Sequence, residues 1–489
     1  MPNNNQLYYG DNLDILRQHV PNESVDLIYL DPPFNSDATY NVLFKTHAGD
    51  ESRAQIEAFD DTWHWGPQAE EEYEELTRGR TTVEVARFIQ AMRTVLGDSD
   101  MLAYLVMMAP RLLEMRRVMK PTANIYLHCD PTASHYIKIL MDAIFEPKHF
   151  INEIIWCYET GGRARNSFPR KHDTILRYGL SEKPAFFPAQ IALPRDFSTM
   201  HETIRIDEDG RRYQANIKGG KEYRYYEDDG VLPNDWWVDI QALNPAAKER
   251  LGYPTQKPLA LLDRIILSGT QPGDVVLDPF CGCGTAVDAA QQLDRQWIGI
   301  DITYIAIDLI VKRLQHRYGD KIRDSFTTNG IPKDVESADA LFARNPFDFE
   351  RWAVSIVNGQ PNQKQVGDRG VDGRIRFDAG MDAPGMAIVS VKGGQQLNPA
   401  MVRDLAGTMA HENADMAVLV TRSEPTRGML DAAASSGVYQ LSRALNRYPR
   451  IQIMTVAELL DGKRPQMPPI YLPYIQAKSR GDSKAVPLF

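Results

Sequence analysis

The sequence predicts an α/β fold built around a parallel β-sheet, and two observations carry this prediction. First, short apolar runs that are typical of buried strands alternate with segments of helical periodicity. Second, an acidic residue ends or follows each strand, and these acids are Asp11, Asp31, Asp278 and Asp301. Strands that alternate with helices favour a parallel sheet with helices on both faces. Ligands of such sheets bind beyond the carboxyl ends of the strands, where all four acids are expected to lie.

The predicted elements occupy the two ends of the first 320 residues. In chain order they are a strand at 6–9, a helix at 12–19, a strand at 26–30, a strand within 274–285, a strand within 297–303 and a helix at 306–318. Pro21 follows the first helix, which it cannot continue because proline has no backbone N–H. The alternation of strands and helices is predicted to end with this last helix.

Length and composition exclude several classes of protein. A chain of 489 residues suggests about three domains. With 43% hydrophobic and 25% charged residues it has an ordinary globular composition, and its net charge of −10 does not indicate nucleic acid. The longest apolar stretch, residues 101–110, is too short to span a membrane, and the N-terminus does not resemble a secretory signal. Four cysteines do not suffice for a disulfide scaffold and fit a reducing cytoplasm, and zinc is not expected at Cys281 and Cys283 because no second pair accompanies them.

A glycine-rich loop at residues 278–285, Asp-Pro-Phe-Cys-Gly-Cys-Gly-Thr, predicts a small-molecule site. Glycines let the backbone approach a ligand where side chains would clash. Asp301, at the end of the next strand, suits an acid that binds ribose hydroxyls. A tight turn without a ligand is the alternative for the loop alone. Asp278 and Asp301 would repel phosphates, so a nucleoside cofactor with an uncharged or cationic head is favoured over a dinucleotide.

A second motif, Asp31-Pro32-Pro33-Phe34, predicts a site for an exocyclic amine. The prolines fix φ and leave rigid carbonyl groups, and Phe34 offers a flat stacking surface. An amine held between the Asp31 carboxylate and the Pro32 carbonyl becomes more tetrahedral and more nucleophilic towards an electrophilic methyl. A flipped-out base requires such a pocket. A proline-stiffened turn is the alternative.

Together these motifs resemble those of a β-class amino-methyltransferase that acts on double-stranded DNA with S-adenosylmethionine. The resemblance covers residues 6–320, and its motifs are GDNLDIL (10–16), DLIYLDPPFN (26–35), IYLHCDPTASHY (125–136), RKHDTILRY (170–178), GYPTQKPLALLDRII (252–266) and DPFCGCGT (278–285). The catalytic motif precedes the cofactor motif, which implies a permuted Rossmann-like sheet in a methyltransferase domain at 1–325. Family members are often dimers, so a homodimer is left open.

The resemblance also implies roles for individual residues. Asp31, Pro32, Pro33 and Phe34 would hold the target amine. The cofactor would be bound by Asp11, Thr255, Lys257, Asp278, Phe280, Gly282, Gly284, Thr285 and Asp301, with Lys257 in the segment that closes the methionine pocket. The target pocket would be lined by His128, Asp130 and 171–173.

The motif D-P-P-F favours adenine N6 over cytosine N4, which stays an alternative, and the chain contains no Pro-Cys for carbon-5 methylation. DNA recognition is expected at residues 180–250, read as antiparallel strands with turns at 209–210 and 229–230. Cations that could contact DNA there are Arg211, Arg212, Lys221 and Arg224, although solvated surface charge explains each equally well. The segment 161–171, with four cations, is a better candidate for phosphate contacts. Residues 44–97 are interpreted as a helical insertion that could serve a dimer or clamp DNA.

The remaining chain predicts a linker at 326–340 and a second, smaller α/β domain at 341–489. This domain resembles the Mrr-type branch of restriction-endonuclease-like domains, whose sites place an aspartate on one strand and (E/Q)-x-K on the next. Asp372 and Lys392 match that pattern, and Glu350 is an additional candidate acid. The resemblance implies Mg²⁺ at Asp372, with Lys392 activating the attacking water. Ser390 departs from the pattern, so two hypotheses remain: a nuclease in a fused restriction–modification protein, or a DNA-binding domain that does not cleave.

Overall fold

The computed structural model describes most of the chain, and the account below is confined to these residues. The described segments are 5–32, 39–45, 51–60, 65–79, 81–159, 166–195, 197, 203–244, 247, 249–251, 256–361, 370–379, 385–440 and 447–470.

Strands and helices alternate at both ends of the first 330 residues. The strands are β1 (Asn5–Tyr9), β2 (Val25–Leu30), β3 (Thr39–Lys45), β4 (Glu51–Asp60), β5 (Met119–Cys129), β6 (Phe150–Cys157), β7 (His172–Gly179), β8 (Arg205–Ile206), β9 (Arg212–Lys218), β10 (Lys221–Tyr226), β11 (Trp236–Trp237), β12 (Val275–Asp278), β13 (Gln296–Asp301) and β14 (Phe326–Asn329). The helices are α1 (Asn12–His19), α2 (Pro67–Thr77), α3 (Val83–Leu96), α4 (Asp100–Val118), α5 (Ser134–Phe145), α6 (Leu259–Gly269), α7 (Thr285–Gln292) and α8 (Tyr304–Tyr318).

One large sheet organises this part of the molecule. Among the described residues it has nine strands in the order β11-β6-β7-β5-β2-β12-β13-β1-β14. All neighbours are parallel except β7, which runs antiparallel to β5 and to β6. The predicted α/β fold with a large parallel sheet is therefore confirmed.

Helices cover both faces of this sheet because its central strands are apolar on both sides. Leu27 and Ile28, neighbours on β2, are completely buried in two different hydrophobic clusters. The cluster around Leu27 is completed by α6, α7 and α8, and the one around Ile28 by α1, α3, α4 and α5. Each fully buried leucine or isoleucine contributes about 1.5–3 kcal/mol. The buried sheet thus forms a rigid platform for the loops at its carboxyl edge.

The insertion at 44–97 is not helical throughout, and that part of the prediction is wrong. α2 and α3 lie within it, but residues 51–60 form β4, which pairs antiparallel with β3. The segment RAQIEA within β4 alternates polar and apolar residues, which is the period of a strand. The overlooked signal was therefore this short alternation.

The expected linker at 326–340 is also wrong. Residues 326–329 form β14, which pairs parallel with β1 at the edge of the large sheet. A helix begins at residue 335, after a capping box in which Asp334 and Ser337 satisfy each other's backbone N–H groups. Neither β14 nor the helix was predicted, because this segment is mostly polar. An edge strand needs little apolar surface, and a capping box consists of polar residues.

The region expected to recognise DNA contains the predicted antiparallel strands. β10, β9 and β8 form a three-stranded sheet, and a turn at Asp209–Gly210 joins β8 to β9. Gly219 and Gly220, both with positive φ, make the turn between β9 and β10. β11 instead joins the large sheet beside β6.

The C-terminal part forms a second, smaller α/β unit. Its elements are α9 (Val335–Arg344), α10 (Pro346–Ile356), β15 (Gln360–Pro361), β16 (Gly373–Phe377), β17 (Gly385–Lys392), α11 (Pro399–His411), β18 (Met416–Thr421), α12 (Arg427–Ala434), β19 (Val438–Gln440), β20 (Arg447–Pro449), β21 (Ile451–Thr455) and α13 (Val456–Leu460). Five of the described strands form a sheet in the order β15-β16-β17-β18-β21. α10 packs against α8, so one hydrophobic cluster runs from the large sheet into this unit through Phe349 and Trp352.

Candidate active site

The four acids that the sequence singled out follow adjacent strands. β2, β12, β13 and β1 are neighbours in the large sheet, and all four run parallel. Asp278 and Asp301 end β12 and β13, while Asp31 and Asp11 lie one and two residues beyond β2 and β1. The structure therefore brings all four to the carboxyl edge of one sheet, as predicted.

Asp31 forms an ion pair with Lys257 across this edge. The Lys257 Nζ donates to Asp31 Oδ2 at 2.6 Å, and the two side chains are only 11% and 15% exposed. Asp31 Oδ1 is also buried, and no described residue donates a hydrogen bond to it. Pro32, which follows, is buried. Of the other predicted residues here, Pro33, Phe34 and Thr255 lie outside the described residues.

The glycine-rich loop is held by the carboxylates at its two sides. Asp301 Oδ2 accepts from the Gly282 N–H at 2.8 Å, and Asp301 Oδ1 accepts from the backbone and hydroxyl of Thr303 at 2.8 Å each. Asp278 Oδ1 accepts from the Phe280 N–H at 3.1 Å. Burial raises the pKa of Asp301 to about 6 despite these donors. Burial also raises the pKa of Asp278, and the nearby carboxylates of other acids raise it further.

Gly284 is required by the protein's own packing. Its φ is +75°, and a Cβ at this position would lie 2.6 Å from Cγ1 of Ile310 on α8. The sequence predicts that the loop's glycines give a ligand access to the backbone. For Gly284 the close neighbour is instead a helix behind the loop, so its role is to let α7 begin directly against α8.

Thr285 starts α7 and contacts a buried arginine, and its binding of the cofactor stays a prediction. Arg313 of α8 donates to the Cys283 carbonyl at 3.0 Å and to Thr285 Oγ1 at 3.4 Å. The same guanidinium pairs with Asp288, and the side chains of this pair are 3% and 1% exposed. Sequence analysis missed Arg313 and Asp288, because nothing in their local spacing links α8 to the loop.

A second buried arginine organises the edge at Asp11. Arg111 on α4 donates to Asp11 Oδ2 at 2.7 Å and to Asn12 Oδ1 at 2.7 Å. Asn12 in turn donates to the Pro279 carbonyl at 2.8 Å. Asp11 Oδ1 also accepts from the Leu13 N–H and caps α1. Asp11, predicted to bind the cofactor, is therefore fixed by a helix cap and a cation, and the same network holds the glycine-rich loop.

The residues expected to line the target pocket form a hydrogen-bonded chain. His128 is completely buried; one ring nitrogen lies 3.0 Å from the Tyr29 hydroxyl and the other lies 3.1 Å from Asp173 Oδ2. Tyr158 donates to Asp173 Oδ1 at 3.0 Å. Burial alone would raise the pKa of Asp173, but the hydrogen bonds from His128 and Tyr158 and the charge of Lys257 lower it.

Asp130 and Lys171 have local structural contacts. Asp130 accepts from the backbone of Thr132 and of Ala133 at the turn before α5. Lys171 donates to the Glu159 carbonyl at 3.2 Å.

Cations of the three-stranded sheet are mostly paired within it. Arg211 binds Asp228 and Asp229, with N···O distances of 2.7 and 2.6 Å. Acidic partners also lie beside Arg212 (Glu227, 3.0 Å) and Arg224 (Glu222, 2.9 Å). Lys221 lies over the ring of Tyr223. Residues 161–165 of the other candidate DNA contact lie outside the described residues.

In the C-terminal unit, Asp372 binds the neighbouring strand. Its Oδ2 accepts from the Val391 N–H at 2.6 Å and lies 3.4 Å from the Ser390 hydroxyl. Lys392 ends β17, and Glu350 lies on α10. Within the described ranges, no group of three or more His, Cys, Asp or Glu side chains is arranged to hold a metal. The predicted Mg²⁺ and nuclease site stays a prediction.

Comparison with known proteins identifies the N-terminal part. A family profile described as DNA methylase, N6_N4_Mtase, matches residues 25–312. The chain belongs to this DNA methylase family. A second profile, NACHT-associated inactive Restriction Endonuclease 1, matches residues 348–461.

Named relatives resemble the methylase part. The type II methyltransferase M.EcaI of Enterobacter cloacae is 26% identical over 63% of this chain and 69% of its own length. M.HpaI of Haemophilus parainfluenzae, another type II methyltransferase, is 32% identical over 42% of this chain and 57% of its own length. Among solved structures, the cytosine-N4-specific PvuII DNA methyltransferase is 14% identical with a TM-score of 0.38, covering 65% of this chain and 90% of its own. The M1.HpyAVI–SAM complex is 18% identical with a TM-score of 0.32, covering 63% of this chain and 99% of its own.

The residues that match the family profile include β2, β12 and β13 together with Asp31, Asp278 and Asp301. No described helix of this methylase is long and apolar enough to cross a membrane.

Proposed function

We propose that this DNA methylase transfers a methyl group from S-adenosylmethionine to N6 of an adenine flipped out of double-stranded DNA. The observation that carries the proposal is the Asp31 carboxylate. One of its oxygens is held by Lys257, and the other is buried without a donor among the described residues. A buried acceptor without a partner costs about 1–3 kcal/mol, and a substrate amine would remove that cost.

The carboxyl edge fits the cofactor. Acids at the ends of adjacent strands disfavour phosphates, and the carboxyl of Asp301 suits ribose hydroxyls as hydrogen-bond donors. The glycine-rich loop between β12 and α7 is fixed by Asp301 and Asn12, so its backbone is preorganised. When bound, S-adenosylmethionine supplies an electrophilic methyl on a positively charged sulfur.

The chain's own groups prepare the nucleophile. The amino nitrogen of adenine is a poor nucleophile because its lone pair is delocalised into the ring. Hydrogen bonds donated to Asp31 Oδ1 and to the Pro32 carbonyl draw the lone pair back onto nitrogen.

One assay tests both whether the protein methylates DNA and which base receives the methyl group. Purified protein is incubated with plasmid DNA and labelled S-adenosylmethionine, and the nucleosides are identified by mass spectrometry after digestion. We expect N6-methyladenine, because D-P-P-F favours this product. N4-methylcytosine would refute the base assignment, and the absence of any methylated nucleoside would refute the function. Single-molecule sequencing of the product DNA then supplies the recognition sequence.

For the C-terminal domain we propose DNA binding without cleavage. Asp372 already accepts from the backbone N–H of Val391, and Ser390 occupies the position where active relatives carry a metal-binding Glu or Gln. The similarity to a family described as inactive supports the same reading. The methylase would then modify DNA without cutting it, and the relatives M.EcaI and M.HpaI are likewise named as methyltransferases.

Cleavage assays separate this proposal from the nuclease hypothesis. Unmethylated and methylated plasmids are incubated with the protein in Mg²⁺ or Mn²⁺. We expect no nicking or cutting in either metal. Metal-dependent cutting that Lys392→Ala abolishes, with methylation unchanged, would establish the nuclease instead.

A further inference from the structure

We infer that Lys257 is a positioning residue for Asp31, and that it acts on methyl transfer rather than on cofactor affinity. This inference rests on the proposed function. It departs from the role in the methionine pocket that the family resemblance implies for the segment 255–258.

The first support is the rigidity of the lysine's backbone. On one side, Gln256 is buried and bonded at both ends of its amide: its Oε1 accepts from Leu251 N–H at 2.7 Å and its Nε2 donates to the Glu249 carbonyl at 2.6 Å. On the other side, Pro258 caps α6, and the Leu259 N–H donates to the Glu249 carboxylate. Lys257 is therefore held between two fixed neighbours.

The second support is the asymmetry of the Asp31 carboxylate. Its Oδ2 receives the Lys257 ammonium at 2.6 Å, whereas Oδ1 has no donor among the described residues. A compact ammonium binds one oxygen as a point charge and leaves the other free. The pair thus presents one oriented acceptor, which is what an incoming amine requires.

The third support is the position of other charges around the pair. Asp173 is close enough to Lys257 for the lysine to lower the pKa of its carboxyl. Asp31 and Asp278 are close enough to each other for Asp31 to raise the pKa of Asp278. Without Lys257, the Asp31 carboxylate would lie in these acidic surroundings with no described cation bonded to it, and no described hydrogen bond would fix the orientation that the amine needs.

The test uses Lys257→Met, which keeps the apolar stem and removes the charge, in the full-length protein. We expect kcat for DNA methylation to fall by about 100-fold, the scale for misplacing a reacting group by about 1 Å. The dissociation constant for S-adenosylmethionine, measured by calorimetry, should change less than about fivefold, the low end of typical coupling between two sites. Lys257→Arg restores a cation beside Oδ2 and should recover at least part of the lost kcat.

A control ion pair is available at the other end of β2. Lys120 pairs with Asp26 at 2.7 Å, and Asp26 lies near the start of β2, at the opposite edge of the sheet from Asp31. Lys120→Met should therefore leave kcat unchanged while losing an ion pair of similar length, although Lys120 is 37% exposed and Lys257 is 11% exposed. Thermal unfolding of each variant shows whether the fold is intact.

Three results would overturn the inference. They are a kcat of Lys257→Met equal to that of wild type, a loss confined to cofactor affinity, and a folded Lys257→Arg with no recovery. If the wild type methylates cytosine N4, the inference still applies, because Asp31 would accept from either amine. If the wild type methylates nothing, the proposed function itself fails, which is a different outcome.

Discussion

Gly284 offers a test of whether the cofactor loop is shaped by the protein or by its ligand. In Gly284→Ala, the alanine backbone would have to keep a φ of +75°. Its new methyl group would lie 2.6 Å from Cγ1 of Ile310. The left-handed conformation costs a residue other than glycine about 1–2 kcal/mol. Overpacking against a fully buried isoleucine adds about 1–3 kcal/mol. We therefore expect the free energy of unfolding to fall by about 2–5 kcal/mol.

A double-mutant cycle isolates the contact. Ile310→Ala alone should cost about 2–5 kcal/mol, because it leaves a cavity in the core. In Gly284→Ala the same truncation removes the clash, and the new methyl fills part of the cavity. The double variant should then be more stable than the sum of the single effects by at least about 1 kcal/mol, well above the deviation of about 0.3–0.5 kcal/mol seen for independent sites.

Urea denaturation followed by circular dichroism gives the free energy of unfolding of the wild type, the two single variants and the double variant. Calorimetry with S-adenosylmethionine shows separately whether the cofactor affinity changes. Strictly additive single effects would refute the packing argument. So would a Gly284→Ala variant of unchanged stability that has lost cofactor affinity, since that result would mean that the ligand requires the glycine.

Two further outcomes concern the acids of the site. Asp31→Ala should abolish methyl transfer in a tritium assay while leaving cofactor binding by calorimetry largely intact, and retained transfer would remove Asp31 from the mechanism. For Asp301, whose pKa burial raises to about 6, ribose hydroxyls would donate to the ionised form, so cofactor affinity should fall by up to about tenfold for each pH unit below 6. Asp301→Asn should bind about 1.5–3 kcal/mol more weakly and lose this pH dependence. A wild-type affinity that is constant from pH 7 to 5 would contradict the proposed ribose contact.

The parts of the site that sequence could predict are local in the chain. A buried strand followed by an acid is a signal within about ten residues, and it located Asp31, Asp278 and Asp301 at one edge of the sheet. Such patterns are predictive because neighbouring residues in the sequence determine both the side-chain period and the end of the strand.

The parts that sequence could not predict are contacts between distant segments. Asp31 and Lys257 are 226 positions apart, and Asn12 and Pro279 are 267 apart. No spacing rule connects such pairs, because only the completed sheet brings them together. β14 was not predicted for another reason: one phenylalanine followed by three polar residues at a sheet edge carries almost no periodic signal.

The number of acids at the carboxyl edge overstates the negative charge of this site. Two of the four acids are balanced by cations from other segments, Lys257 for Asp31 and Arg111 for the acid after β1. The other two, Asp278 and Asp301, have raised pKa values because they are buried. A raised carboxyl pKa means that the protein environment disfavours the ionised form, and a nearby positive charge offsets that penalty. An edge of this kind therefore gains most from a ligand that brings its own cation, as the sulfonium of S-adenosylmethionine does, and least from a phosphate.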